Sequence, residues 1–198
     1  MEIIPGCVTA HPRFLDEDEA RVLFWKLLTE IGWEQKHMRF GVKEVPLPRL
    51  TAWYGDPDAN YVYSGIRHVA QPWTASLAAV KPKLDALLPN GLAFNGVLLN
   101  YYRNGDDKIG FHADDEKELG ETPFIASLSL GGRRRFLLRP KGKDGHGKGT
   151  KADEIVIPLD NGTLVVMYGR CQKEWVHAVP PEPQGAEARI NLTLRQVI

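Results

Sequence analysis

The chain has 198 residues, of which 43% are hydrophobic and 25% are charged, a composition typical of one globular domain with a substantial core. Its 25 basic and 25 acidic residues give a net charge of zero, which excludes nucleic-acid binding through overall charge. Any contact with DNA or RNA must therefore be local. The dense basic segments that could provide it are Arg133–Arg135 and the lysines between Lys141 and Lys151.

Targeting signals and cysteine usage indicate where the protein works. No apolar run reaches the length of a membrane span, and the N-terminus lacks the basic and apolar segments of a secretory signal. The two cysteines, Cys7 and Cys171, have no metal-binding spacing and predict free thiols in a reducing compartment. We expect an intracellular monomer without membrane contact, cytoplasmic in a bacterium and nuclear in a eukaryote.

Two helices are predicted in the first half of the chain. Asp16 and Glu19 have the spacing of a capping box, an apolar stripe at helical spacing follows, and Gly32 is a stop signal. A second helical stripe lies between Thr74 and Leu88, and Pro82 is expected to kink or divide it. Both helices are expected to pack on one sheet.

Residues 33–66 have a different character, because aromatic residues alternate there with proline, glycine and aspartate in a pattern typical of short strands and turns. Two interpretations stay open for Phe40, Tyr61 and Tyr63. They either cover the edge of the core or belong to a lid that stacks a base flipped out of a nucleic acid.

From Phe94 onward the pattern is typical of strands. About eight short apolar runs at regular spacing, after two helices, predict a mostly β protein with flanking helices: two packed antiparallel sheets, a jelly roll. Asp160-Asn161-Gly162 predicts a hairpin turn between the strands at 155–157 and 163–168. The segment Lys141–Lys151, rich in lysine and glycine, is expected to be a mobile loop.

After a turn at 103–106, a short apolar run from Ile109 to Ala113 carries His112 and Asp114 towards its end. Residues two apart on a strand point to the same face, so this imidazole and carboxylate can converge. They would be two of the three ligands of a 2-His-1-carboxylate triad, the arrangement that holds non-haem Fe(II). Taken alone, the pair is weak evidence, since most such pairs bind no metal.

A third ligand must come from far along the chain, and His177 lies in another alternating run. The run that follows the prolines after it places Arg189, Asn191, Thr193 and Arg195 on one face. A guanidinium beside a metal suits the bidentate recognition of a carboxylate. Zinc, which also accepts two histidines and a carboxylate, stays an alternative at this point.

The combination resembles the AlkB-type Fe(II)/2-oxoglutarate dioxygenases, and most closely their DNA-repair branch. The resemblance covers about Pro48 to the C-terminus, and residues 1–47 match only loosely. Its motifs are Asn100-Tyr101-Tyr102, His112-Ala113-Asp114, His177 and Arg189-x-Asn191-x-Thr193-x-Arg195.

The resemblance implies a single double-stranded β-helix domain over residues 1–198, with residues 33–66 as a nucleotide-recognition lid. It implies Fe(II) bound by His112, Asp114 and His177, with 2-oxoglutarate and O2 as co-substrates. The residues that it implies around 2-oxoglutarate are Asn100, Tyr102, Arg189, Asn191, Thr193 and Arg195.

The reaction that the resemblance implies is oxidative demethylation of N-alkylated bases in alkylated DNA, with release of formaldehyde, succinate and CO2. The implied substrate contacts are Tyr61, Tyr63, Phe40, Lys43, and either Asp115 or Glu116. RNA or protein demethylation by the same chemistry is the alternative. A further alternative is a nucleic-acid-binding module without catalytic activity. The complete triad and both arginines argue against that alternative.

Overall fold

The computed structural model describes residues 1–41, 43–59, 61–63, 66–142 and 150–198. Three α-helices are described: α1 (Glu17–Glu30), α2 (Ala75–Asp85) and α3 (Cys171–Glu174). Short 3-10 helices lie at Pro89–Gly91, Lys117–Leu119 and Lys151–Asp153. The strands are β1 (Glu2–Ile4), β2 (Val8–His11), β3 (His37–Phe40), β4 (Lys43–Pro46), β5 (Leu50–Gly55), β6 (Tyr61–Tyr63), β7 (Ile66–His68), β8 (Gly96–Tyr102), β9 (Ile109–His112), β10 (Ile125–Gly131), β11 (Arg134–Pro140), β12 (Ile155–Leu159), β13 (Leu164–Met167), β14 (Trp175–Val179) and β15 (Arg189–Arg195).

The strands form two main antiparallel sheets, which confirms the jelly-roll prediction. The larger sheet has seven strands in the order β1-β2-β13-β10-β15-β8-β5, and the smaller has four in the order β12-β11-β14-β9. Two separate hairpins, β3-β4 and β6-β7, complete the described strands. Strand β5, inside the range predicted as a lid, is an edge strand of the seven-stranded sheet, and its Trp53 and Tyr54 are buried.

Both predicted helices form and pack on the outer face of the seven-stranded sheet. Asp16 caps α1 by accepting a 2.8 Å hydrogen bond from the Glu19 backbone N–H. Thr74 caps α2, which runs undivided through Pro82 but ends at Asp85 rather than Leu88. Buried leucines, among them Leu27 on α1, join the helices to the sheet. Truncating such a leucine to alanine would cost about 2–5 kcal/mol.

A second apolar cluster lies between the two sheets and includes Phe136, Leu138, Val165, Met167 and Val179. The strands of the seven-stranded sheet therefore have buried residues on both faces. Alternation sends one set of side chains towards the helices and the other towards the smaller sheet. This second face positions the candidate site.

One predicted hairpin is wrong. The Asp160–Gly162 segment does form a turn, with the Thr163 N–H donating to the Asp160 carbonyl at 3.0 Å. However, β12 and β13 on either side belong to different sheets and do not pair. The turn instead bonds to β10, since the Gly162 N–H donates to the Ser129 carbonyl at 2.8 Å. It carries the chain from one sheet to the other.

Candidate metal and co-substrate site between the sheets

His112, Asp114 and His177 come together at the rim of the space between the sheets. Strands β9 and β14 pair with His112 opposite His177, and the two imidazole centroids are 4.3 Å apart. The Asp114 carboxylate lies 3.8 Å from His112 Nε2 through Oδ1 and 3.9 Å from His177 Nε2 through Oδ2. One potential ligand atom from each residue lies within 4.8 Å of the others, so the three can hold one metal ion.

The prediction that strand alternation directs Asp114 to the same point as His112 is wrong. Strand β9 ends at His112, so Asp114 does not follow strand alternation. The Asp114 backbone N–H instead donates a 2.9 Å hydrogen bond to Oε1 of Gln172. Beyond it, Asp115 is exposed and accepts a hydrogen bond from Lys141 Nζ at 3.2 Å.

The charges in the cluster suit a divalent cation. Burial of Asp114 alone would favour the neutral carboxyl, but the positive charge of Arg195 and its hydrogen bond outweigh burial and lower the Asp114 pKa. Burial lowers the pKa of His177 to about 3 and also lowers that of His112. At neutral pH the site therefore offers one carboxylate and two neutral imidazoles, the protonation states that metal ligands need.

The polar face of β15 lines the same cavity, and none of its side chains is exposed. Arg189, Asn191, Thr193 and Arg195 are at most 7% exposed, which rules out the alternative of a solvated strand face. Because β8 pairs with β15, Asn100 lies opposite Asn191 and Tyr102 lies opposite Arg189. All the residues predicted around 2-oxoglutarate therefore meet in one cavity.

Hydrogen bonds order this polar face. Arg189 Nη2 donates to Ser129 Oγ at 2.8 Å and to Asn191 Oδ1 at 2.7 Å. Asn191 Nδ2 in turn donates to Thr193 Oγ1 at 2.7 Å, and Ser127 Oγ donates to Asn191 Oδ1 at 3.0 Å. The chain of bonds holds each side chain in one orientation.

Arg189 has the burial and the free donors of an anion-binding group. Its Nε and Nη1 are buried and have no hydrogen-bond partner among the described residues. Its guanidinium lies 5.1 Å from the centroid of the Tyr102 ring. Burial lowers the Arg189 pKa to about 10, so the group stays charged at neutral pH. A buried cation with two unused donors fits the distal carboxylate of a dicarboxylate such as 2-oxoglutarate.

Several contributors were missed by the sequence reasoning. Ser127 and Ser129 alternate with apolar residues on β10, so the pattern that found the face of β15 could have found them. Arg49 donates from Nε to Asn100 Oδ1 at 2.7 Å, and Gln172 binds the Asp114 backbone. No sequence pattern marks these two. The apolar walls of the cavity are Leu98, Ile109, Phe136, Met167 and Val179.

The residues predicted on the substrate side are placed only in part. The backbones of Phe40 and Lys43 are paired across the β3-β4 hairpin, and Lys43 is exposed. Tyr61 and Tyr63 form the ends of β6, which pairs with β7. Asp115 follows the candidate ligand Asp114, and Glu116 is partly buried.

The predicted basic surface at Arg133–Arg135 is wrong as a continuous patch. Arg134 is only 1% exposed, because its guanidinium points inward and donates to the backbone carbonyls of Asn104 and Asp107. Arg133 and Arg135 are paired with acidic side chains. Of the lysine segment, residues 143–149, with Lys143 and Lys148, lie outside the described residues. Among the described helices, none is long and apolar enough to cross a bilayer.

Comparison with known proteins identifies the family. The profile of the 2OG-Fe(II) oxygenase superfamily matches residues 7–195. The human alpha-ketoglutarate-dependent dioxygenase alkB homolog 3 is 40% identical over 195 residues, which cover 96% of this chain and 66% of the human protein. The rat protein of the same name is also 40% identical, and the match covers 64% of it. The chain thus spans just under two thirds of these relatives.

One relative from a second group is covered more fully. The mouse protein named DNA oxidative demethylase ALKBH2 is 34% identical over 184 residues, which cover 91% of this chain and 76% of the mouse protein. The solved structure of OsALKBH1 superposes with a TM-score of 0.63 over 99% of this chain and 100% of that one. At 21% identity it bears on the fold alone. The chain therefore belongs to the 2OG-Fe(II) oxygenase superfamily and, within it, to the AlkB-type proteins, as its motifs predicted.

Proposed function

We propose that the protein is an Fe(II)- and 2-oxoglutarate-dependent dioxygenase that demethylates N-alkylated bases, such as 1-methyladenine and 3-methylcytosine, in DNA. One observation carries this proposal. A cluster of two histidines and a carboxylate shares a cavity with a buried guanidinium, that of Arg189, which has two unused donors. The names of the AlkB relatives, which include DNA oxidative demethylase, support the choice of substrate.

When bound, Fe(II) and 2-oxoglutarate supply the oxidation, in which O2 converts 2-oxoglutarate to succinate and CO2 and one oxygen atom enters a methyl C–H bond, so that the methyl group leaves as formaldehyde. His112, Asp114 and His177 would hold the metal. Asp114 contributes the negative charge, and Arg195 keeps that carboxylate ionised and oriented through its 2.8 Å hydrogen bond. Both imidazoles stay neutral at neutral pH and so keep their lone pairs available.

The remaining cavity residues would bind and orient the co-substrate. Arg189 would take the distal carboxylate through Nε and Nη1, which gives the planar, bidentate match that a lysine cannot make. Asn191 accepts a hydrogen bond from Arg189 and donates one to Thr193, and these bonds hold the Arg189 side chain in position. Asn100 and Tyr102 on β8 face these groups and would close the other side. Apolar walls exclude water from the reacting centre.

On the substrate side, a base must leave the stack to reach the metal, which costs a few kcal/mol and costs least for damaged pairs. We assign base stacking to Tyr61 and Tyr63, and a contact with the base to Asp115 or Glu116. Phe40 and Lys43, on the β3-β4 hairpin, would contact the flanking duplex. The recognition lid would then be residues 33–66 apart from β5, within a single domain over residues 1–198.

We propose that the protein acts inside the cell, where its DNA substrate lies, and that it acts as a monomer. Two alternatives use the same site. RNA or protein demethylation would need the same metal and co-substrate residues and differ only at the substrate surface. Zinc-dependent hydrolysis is disfavoured, because it gives no role to the unused donors of Arg189 and does not fit the superfamily match.

The test is a parallel assay of methylated single-stranded DNA, duplex DNA and RNA with Fe(II) and 2-oxoglutarate, in which succinate and formaldehyde are both measured. We expect demethylation of DNA that depends on both additions. His112→Ala should abolish succinate formation, whereas His11→Ala, on β2 at the far side of the larger sheet, should not. If only the RNA is demethylated, RNA and not DNA is the substrate. Formation of formaldehyde without 2-oxoglutarate would contradict the oxygenase assignment.

A further inference from the structure

The backbone of the candidate ligand Asp114 is not held by either sheet. Strand β9 ends at His112, and residues 113–116 lie outside strands and helices. The Asp114 side chain is nevertheless only 2% exposed, and its carboxylate is directed at both histidines. Its backbone must therefore be fixed by something other than a strand ladder.

Gln172 supplies that contact. Its Oε1 accepts a hydrogen bond of 2.9 Å from the Asp114 N–H, and its Nε2 donates to Met167 Sδ at 3.5 Å. The two contacts fix which end of the amide faces Asp114, because an N–H needs an acceptor there and the sulfur needs a donor. Gln172 is 2% exposed, so this is a buried polar side chain whose carbonyl and amide group each have a partner.

The position of Gln172 in the chain links two metal ligands. It lies in α3, which is followed directly by β14, the strand that carries His177. One side chain thus ties the backbone of the carboxylate ligand to the element that leads into a histidine ligand. Without it, Asp114 would keep its side-chain bond to Arg195 but lose the bond to its backbone.

We propose that Gln172 is a positioning residue for the metal site, and that it sets the place of Asp114 relative to His177 before any metal binds. The inference rests on the proposed metal site. Partners that orient a ligand from outside the coordination shell typically change metal affinity by about 10–100-fold when they are removed. The effect of Gln172 should therefore appear in metal binding itself and not only in turnover.

The test uses Gln172→Met, which keeps the length of the side chain and removes the acceptor. Co(II) alone is titrated into the metal-free protein, and its visible absorption gives both the affinity and the coordination geometry. We expect Co(II) to bind about tenfold more weakly than in the wild type, with altered absorption bands. Hydrogen exchange at the Asp114 amide should also become faster in the metal-free protein.

Two further variants separate this role from general loosening of α3. Cys171→Ala removes a buried side chain from the same helix without touching the bond to Asp114, so it should lower the melting temperature yet leave the Co(II) affinity within about twofold. Gln172→Glu keeps an acceptor oxygen, so the Asp114 amide should stay protected. Rapid exchange in Gln172→Glu would contradict the inference.

The outcomes distinguish this inference from the proposed function. If the wild type itself fails to bind Co(II), the metal site is wrong and the proposed function fails. If the wild type binds and Gln172→Met binds equally well with the same bands, only the role of Gln172 is overturned. Equal weakening by Gln172→Met and Cys171→Ala would also overturn it, since the effect would then come from the packing of the helix.

Discussion

Arg195 Nη2 donates a hydrogen bond of 2.8 Å to Asp114 Oδ1, and the two side chains are only 3% and 2% exposed. The cation comes from the seven-stranded sheet, and the carboxylate follows a strand of the smaller sheet. A buried carboxylate left without a counter-charge is far more costly than an exposed one. In the metal-free protein, Arg195 therefore offsets the free-energy cost of burying the negative charge of Asp114.

Removing this cation should destabilise the metal-free protein. We expect Arg195→Met to lower the free energy of unfolding by about 3–5 kcal/mol, measured by urea denaturation of protein treated with a chelator. Arg133→Met is the matched control, because Arg133 pairs with Asp160 on the surface at 3.2 Å. Its effect should stay below about 1 kcal/mol. A similarly small effect of Arg195→Met would show that the Asp114 charge is compensated in another way.

Arg189→Lys tests the co-substrate clamp. Lysine keeps the charge but loses the planar fork that matches a carboxylate. We expect the Michaelis constant for 2-oxoglutarate to rise about tenfold or more, since a factor of ten needs only about 1.4 kcal/mol. Succinate release at varied 2-oxoglutarate measures it. Arg135→Lys, at an exposed ion pair, should leave the constant unchanged, and an unchanged constant in Arg189→Lys would remove Arg189 from the clamp.

The salt dependence of DNA binding tests the lysine segment. Neutralising Lys141, Lys143 and Lys148 together should weaken binding to methylated and unmethylated DNA alike. For each phosphate that is no longer neutralised, the salt slope should fall by about 0.9 for a duplex and about 0.7 for a single strand. Because Lys141 already pairs with Asp115, we expect a smaller change in slope than three phosphates would give. Lys83→Ala, on α2, serves as control. If the triple variant keeps the wild-type salt slope, the segment does not contact phosphates and only connects two strands.

Tyr63→Ala tests base stacking in the proposed lid. Stacking of a base on an aromatic ring is worth about 1–3 kcal/mol, and only a methylated base should be flipped into the pocket. We therefore expect the variant to weaken binding of methylated DNA by that amount and to leave unmethylated DNA nearly unaffected. Tyr63→Phe keeps the ring and should bind like the wild type. An equal effect of Tyr63→Ala on both DNAs would place the base elsewhere.

Periodicity was enough to predict the parts of the fold that depend on short stretches of chain. The cap at Asp16 and the two faces of β15 follow from spacing alone, because each repeat places like residues on one side of an element. The polar face of β15 could not be told from a solvated face by its pattern. Its burial depends on the second sheet, which packs against it.

The features that sequence could not provide depend on contacts between distant segments. Asp160–Gly162 has the composition of a hairpin turn, but the chain after it joins another sheet, and local turn chemistry does not encode that choice. Arg134 belongs to a basic run and yet points inward to the carbonyls of Asn104 and Asp107. Gln172 and Arg49 act through hydrogen bonds to Asp114 and Asn100, which lie more than 50 positions away along the chain.

The pairing of β15 with β8 and β10 has a thermodynamic consequence. Asn191 meets Asn100 on one side and Ser129 on the other, so no continuous segment of the chain contains the cavity. The unfolded chain therefore has no site with which to bind, and every ligand of the cavity draws the equilibrium towards the native state. At a concentration one hundred times its dissociation constant, such a ligand would add about 2.7 kcal/mol to the free energy of unfolding. The cellular supply of metal and co-substrate would then help to determine how long the protein survives as well as how fast it works.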